Sequence, residues 1–343
     1  MTGDVLLRRA GRAGRITLNR PQALNALTHA MTLEIAAALD AWRDEDAVAL
    51  VVIDAAGDRA FCAGGDLTEI YDAGRREDFD LPRRFWADEY RLNAKIARYP
   101  KPYVALTQGH VLGGGVGLAA HGSHRIVGDG VRIAMPECAI GLVPDVGGTH
   151  LLARAPGRLG EFLGLSGHRM GPGEAIHAGF ADTYIPEADW PALVARLEET
   201  GDAGEIARIA RPAPASTLAP RQAEIDEAFS APDLPTLIAR LEVSDWGAGV
   251  AKGLSRQSPL SMACALALVR AARSEPGVEA ALIREYRFTA RSLADGDLLE
   301  GIRAQVVDKD RRPLWRDAID GVTEAQAAAM LAPLPVDWPM PGA

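Results

Sequence analysis

In the first half of the chain, short apolar runs of strand length alternate with helix-patterned stretches, and this alternation constrains the fold more than any other feature. Strands joined by helical crossovers pair in parallel, which places the chain in the α/β class. Residues 5–9 and 15–19 read as a hairpin turning through Gly11 to Gly14. From 29 to 43 the apolar residues Met31, Ile35, Ala38, Leu39 and Trp42 recur at helical spacing, and Thr28 stands at the N-cap position. Residues 48–53 and 103–107 are continuous apolar runs, as buried parallel strands require. Residues 82–98 read as a helix, 114–120 as a helix opening from a glycine loop, and 125–127 as a further short strand.

Beyond about residue 148 the texture changes to helices punctuated by Gly and Pro, and the stretch 211–220, with Pro212, Pro214 and Pro220, is the expected linker. Helical patterns follow at 221–229, 234–243, 259–273, 278–293 and 298–308, and the tail from Pro333 reads as irregular. With 343 residues, 48% hydrophobic and 24% charged, the chain is long enough to bury a core, and its composition excludes disorder, collagen and coiled coil. Lys and Arg number 37 against 46 Asp and Glu, a net charge of −9, the wrong sign for a general binder of nucleic acid or of anionic membranes. Cys62, Cys138 and Cys264 are odd in number, widely spaced and form no C-x-x-C pair. A reducing, cytoplasmic setting without structural metal is therefore expected. No apolar run approaches the ~20 residues of a membrane span, and Arg8 and Arg9 are not followed by the ~7 to 15 apolar residues of an export signal.

Three glycine-dense segments, 61–67, 109–117 and 144–148, each lie just beyond a strand-like run or open a helix. Glycine there lets a ligand approach the backbone and leaves N–H groups exposed, and two such groups converging form an oxyanion hole. Tight turns are the plainer reading of any one segment; three together favour a site. Gly115, Gly117 and Ala120 fit the dinucleotide pattern G-x-G-x-x-A, but the next acid, Asp129, falls short of the ~20-residue spacing of a ribose-binding carboxylate. No Walker A lysine and no G-x-S-x-G elbow occur.

Two acids accompany the glycines. Glu137 and Asp145 lie eight positions apart across a Gly- and Pro-containing turn. A carboxyl among Met135, Ile140 and Val143 is expected to hold its proton more tightly and to serve as base or nucleophile. Asp145 also stands where it would cap a helix beginning near Gly148, whereas Glu137 has no capping pattern. Asp66 reads as a structural acid at a helix start.

The pieces Asn19-Arg20-Pro21 with Asn25-Ala26-Leu27, Phe61 to Leu67, Gly109 to Leu118 and Met135 to Gly148 resemble the crotonase (enoyl-CoA hydratase/isomerase) superfamily in order and spacing. Lys101 to Leu106, Gly113 to Leu118, Met135-Pro136-Glu137, Pro144 to Gly148, Ser258 to Ser261, Glu285-Tyr286-Arg287, Glu300 to Ala304 and Asp308-Lys309-Asp310 resemble its 3-hydroxyisobutyryl-CoA hydrolase branch. The resemblance implies an α/β fold with a crotonase-like ββα spiral core over residues 1–200 and a helical C-terminal subdomain over 201–343 covering the acyl pocket.

The resemblance further implies a thioester site. The N–H groups of Gly65 and Gly114 match the oxyanion donors; Glu137 matches the principal carboxylate, as nucleophile or as base on water; Asp145 matches a second acid; Glu89 matches a substrate-contacting acid. CoA would be held near Ala26, Leu27 and Ala63, as part of an acyl-CoA substrate and with no separate cofactor. A hydratase of this superfamily carries a second glutamate at the position of Gly117, so the chain departs toward hydrolysis of a short branched 3-hydroxyacyl-CoA, 3-hydroxyisobutyryl-CoA of valine breakdown being the expected substrate. The alternatives are an enoyl-CoA hydratase or isomerase using Glu137 alone, and a non-catalytic acyl-CoA-binding protein. Members of the superfamily are often trimers or hexamers, and a homo-oligomer is among the arrangements the resemblance allows.

Overall fold

The computed structural model describes residues 3–335. Among the described residues nine strands form two sheets. The larger one has the order β1-β2-β3-β5-β7-β9, with β1 Val5–Ala10, β2 Ala13–Leu18, β3 Leu50–Ala55, β5 Tyr103–Thr107, β7 His124–Val127 and β9 Thr183–Tyr184. Only the β1–β2 hairpin is antiparallel. The smaller sheet, β4-β6-β8, contains Ala60–Cys62, His110–Leu112 and Arg132–Ala134, all parallel. From β3 onward consecutive strands go alternately to the large and the small sheet, so β3/β4, β5/β6 and β7/β8 are three turns of a ββα spiral.

The chain divides into two compact units that are not consecutive in sequence. The first comprises residues up to Gly65, Asp88–Ala134 and Arg169–Ala219; the second comprises Asp66–Ala87, Met135–His168 and the chain from Pro220 onward. The final crossing, between Ala219 and Pro220, falls inside the proline-rich stretch expected to be a linker. Both sheets belong to the first unit. Leu50, Val51, Val52 and Ile53 are all fully buried, so both faces of β3 are covered, which accounts for its unbroken apolar run. On one face Leu50, Val52, Val104, Leu106 and Ile126 pack with Leu193 and Leu197 of the helix Trp190–Thr200. Burying one such leucine stabilises by about 1.5–3 kcal/mol.

The helix His29–Arg43 begins as the sequence predicts, with the Thr28 hydroxyl accepting from Met31 N at 3.2 Å. Asp66 likewise caps the helix Leu67–Arg75. The Asp80–Ala97 helix matches the expected 82–98; its residues from Asp88 belong to the first unit. The sequence reading missed β4, β6 and β8, because three residues are too few to show a strand period.

The second unit is built on helices. Pro259–Ser274 has ten of its sixteen residues buried and packs against Gly148–Arg154, Leu159–Ser166, Val278–Ser292 and Glu324–Leu331. Glu161, wholly buried, links this helix to its neighbour by ion pairs to Arg158 at 2.9 Å and Arg273 at 2.7 Å. Helices Gln222–Phe229 and Leu234–Leu241 lie where expected, while 298–308 resolves into an α-helix, Leu298–Ile302, continued by a wider π turn, Arg303–Val307. The expected irregular tail lies, beyond residue 335, outside the described residues.

Candidate active site

In the first unit two of the three glycine segments meet, Gly64-Gly65 from the first and Gly114 from the second. Leu27 and Gly65 form a parallel bridge, Leu27 N donates to Gly64 O at 2.8 Å, and Ala63 N donates to Leu24 O at 3.0 Å. Gly64 has φ +102°, a conformation only glycine adopts without strain. Gly114 opens a short helix, Gly114–Ala119, directly after β6. A methyl on Gly114 would lie 2.5 Å from Glu89 Oε1, 3.5 Å from Gly65 N and 3.6 Å from Leu27 Cδ2. Gly65, Gly114, Leu27 and Glu89 therefore surround one point, and neither glycine N–H meets an acceptor among the described residues. Glu89, which on sequence grounds alone reads as one surface charge on a helix, is 3% exposed. Gly115 packs so closely on the Cys62 carbonyl that a methyl there would collide with backbone.

The loop carrying Ala26 and Leu27 is shaped by Asn25, which sequence reasoning did not single out for a role. Asn25 is fully buried with φ +54°. Its amide donates to Ala56 O at 3.0 Å and Ala60 O at 2.9 Å, and its oxygen accepts from Arg20 N at 2.8 Å. Arg20 in turn donates to Ala26 O at 2.7 Å, tying the loop to itself. The readable signal was an asparagine in a Pro-containing turn, since Asn tolerates the left-handed region.

In the second unit, Glu137 begins the 3-10 turn Glu137–Ile140, and Asp145 follows Pro144; they are 5% and 4% exposed. The turn is pinned from both sides. Ser258 N donates to Cys138 O at 2.9 Å, Leu142 N to Glu137 O at 3.0 Å, and Gly141, at φ +76°, lies against the Asp297 backbone. Burial, reinforced by the charge of Glu137 and by Cys264, pushes the Cys138 thiol well above its ordinary range, so it stays protonated.

The helix Gly148–Arg154 begins after two left-handed residues, Val146 (φ 54°) and Gly147 (φ 76°). The side chain serving its first N–H groups is Glu285, from Val278–Ser292. Oε2 accepts from Gly147 N at 2.7 Å, and Oε1 accepts from Thr149 N at 2.9 Å and from the Thr149 hydroxyl. The capping role considered for Asp145 is thus filled from another helix. Complete burial pushes the Glu285 carboxyl up to about 7; the Thr149 hydroxyl and the Gly147 N–H oppose the rise, and the charge of Asp145 adds to it. Glu285 shares its helix face with Val278, Ala281, Leu282 and Phe288, and an acid on such an apolar stripe was the available signal.

Among the described residues no group of three His, Cys, Asp or Glu is placed to hold a metal ion, and no helix is long and apolar enough to cross a membrane.

Two sheets wound by ββα turns, with glycine N–H groups beyond β4 and β6, make up the architecture of acyl-CoA-binding crotonases. The family profile described as enoyl-CoA hydratase/isomerase matches residues 13–331, and the chain belongs to that family. Among curated relatives, the proteins named "3-hydroxyisobutyryl-CoA hydrolase, mitochondrial" from Xenopus tropicalis and Homo sapiens are each 36% identical, over 94% of this chain and 87% and 86% of theirs. Among solved structures, an enoyl-CoA hydratase from Rhodobacter sphaeroides is 53% identical with a TM-score of 0.93, over 97% of this chain and 98% of that one. A carnitinyl-CoA dehydratase from Mycobacterium thermoresistibile is 41% identical with a TM-score of 0.95, covering both chains completely.

Proposed function

We propose that this protein hydrolyses a short branched 3-hydroxyacyl-CoA thioester, 3-hydroxyisobutyryl-CoA of valine breakdown in particular. The observation that carries the reading is the pair of buried acids, Glu137 and Asp145, in a chain with glycine at position 117. Hydration of a double bond by paired glutamates lacks its second acid here. The curated relatives named as hydrolases support the same choice.

In this reading the N–H groups of Gly65 and Gly114 receive the thioester oxygen, and each is worth about 3–4 kcal/mol to the transition state. Glu137 acts in one of two ways. As nucleophile it bonds to the carbonyl carbon, the C–S bond breaks, the departing CoA thiolate takes a proton, and water opens the mixed anhydride. As base it removes a proton from the attacking water and delivers it to the leaving sulfur. Asp145 orients the substrate hydroxyl or the water, and Glu89 contacts the substrate. CoA lies along Ala26, Leu27 and Ala63, where the Ala63 N–H is committed to Leu24 and the contact falls to the carbonyl.

Enoyl-CoA hydration with Glu137 as sole acid/base is the second reading, favoured by the name of the 53%-identical solved structure. Incubation with 3-hydroxyisobutyryl-CoA should yield free CoA and acid in equal amounts, and Glu137→Gln should abolish turnover while CoA binding survives. Near-normal turnover by that variant would refute the mechanism.

A further inference from the structure

The turn that carries Asp145 is one its own sequence disfavours. Gly148 N donates to Asp145 O at 2.6 Å, closing a four-residue turn whose two central residues, Val146 and Gly147, both have positive φ. This is the pattern of a type I′ turn, whose central positions favour Gly, Asn and Asp. Valine is β-branched, and at φ 54° it is a genuine outlier. Such a conformation persists only where the surroundings over-determine it.

Glu285 supplies that constraint. The Gly147 N–H belongs to the peptide plane joining Val146 to Gly147, so its bond to Glu285 Oε2 fixes that plane. The Thr149 N–H fixes the plane after Gly148, and the Thr149 hydroxyl bonds the same carboxylate oxygen. One carboxylate, itself wholly buried on the helix Val278–Ser292, therefore grips the turn on its C-terminal side. An ordinary helix cap would need only the N–H groups of the helix that starts at Gly148. The bond to Gly147 reaches back into the turn, toward Asp145.

We propose that Glu285 is a positioning residue for Asp145: by binding Gly147 N, Thr149 N and the Thr149 hydroxyl it holds the left-handed Val146-Gly147 turn, and so sets where the Asp145 carboxylate points. The proposal rests on the role given to Asp145 above. The ionised carboxylate accepts from all three donors with no O–H of its own to place, and the charge of Asp145 works against that ionisation. Glu285 and Asp145 are thus coupled through both backbone and charge.

The test is a double-mutant cycle on thiol release, using Glu285→Gln, Asp145→Asn and the double variant, with kcat, KM and thermal midpoint measured for each. Glutamine keeps the shape but turns an NH2 toward one of the donors. Glu285→Gln is expected to lower kcat by about 10- to 100-fold, as a displacement of about 1 Å can, with KM changed less than about twofold. The double variant should be no slower than Asp145→Asn alone, because the second loss acts through the first. Multiplying losses, or a lowered midpoint with wild-type kcat, would overturn the proposal. Should Glu285→Gln fail to fold, Thr149→Val, which removes only the hydroxyl, replaces it and should show a smaller loss with the same non-additivity. A fully active Asp145→Asn would instead refute the role of Asp145 itself, which separates the two failures.

Discussion

Replacing Gly114 with alanine tests the oxyanion geometry with a single methyl. That methyl would lie 2.5 Å from Glu89 Oε1, about 1 Å inside ordinary contact. The Gly114 backbone is not left-handed, so alanine introduces no backbone strain. The collision is with the end of a flexible side chain, so the fold should survive with a loss of about 1–3 kcal/mol from overpacking. Function should suffer more, because the methyl stands 3.5 Å from Gly65 N, where a thioester oxygen would approach. Loss of one effective donor costs about 3–4 kcal/mol, or 10²–10³ in rate. The assay is kcat/KM for thiol release, with urea unfolding alongside. In a Glu89→Ala background the methyl gains room, so the stability loss should shrink while the activity loss remains. Activity of Gly114→Ala within about threefold of wild type would refute the assignment of this pocket to the oxyanion.

Asn25→Ala removes three hydrogen bonds of a buried side chain, worth about 1 kcal/mol each, and leaves alanine in a left-handed conformation. Urea unfolding should show a loss of about 3–4 kcal/mol, and an unchanged midpoint would contradict the role given to this side chain. Glu285 predicts a pH dependence of stability. Its folded pKa is raised from 4.5 to about 7, so its favourable contribution is complete below about pH 4.5 and is lost as the pH rises through about 7. The change is about 3 kcal/mol, and urea midpoints between pH 5 and 8 should fall more steeply for wild type than for Glu285→Gln. Equal slopes would show that Glu285 titrates normally.

Much of the fold was legible because its signals are local. The helix at His29–Arg43 and its Thr28 cap, and the strand Tyr103–Thr107, follow from apolar spacing within one segment. The small sheet was not legible, since β4, β6 and β8 are three residues each and exist only through pairing with distant partners. The two compact units likewise interleave three stretches of chain each, which no shift in composition marks beyond the prolines before Pro220. Glycines and acids marked the candidate site in the sequence, because few physical reasons place them together. What the local patterns could not reveal were its supports. Glu285 lies more than a hundred residues from the turn it binds, and Asn25 acts through carbonyls at Ala56 and Ala60.

The most direct test of the central claim is to offer the protein 3-hydroxyisobutyryl-CoA and crotonyl-CoA side by side, following free thiol from the first and loss of enoyl absorbance from the second. Thiol release without hydration is the result expected of a chain that carries Glu137 and Asp145 and has glycine at position 117. Hydration without thiol release would contradict it, and would mean that Glu137 works as the acid and base of a hydratase.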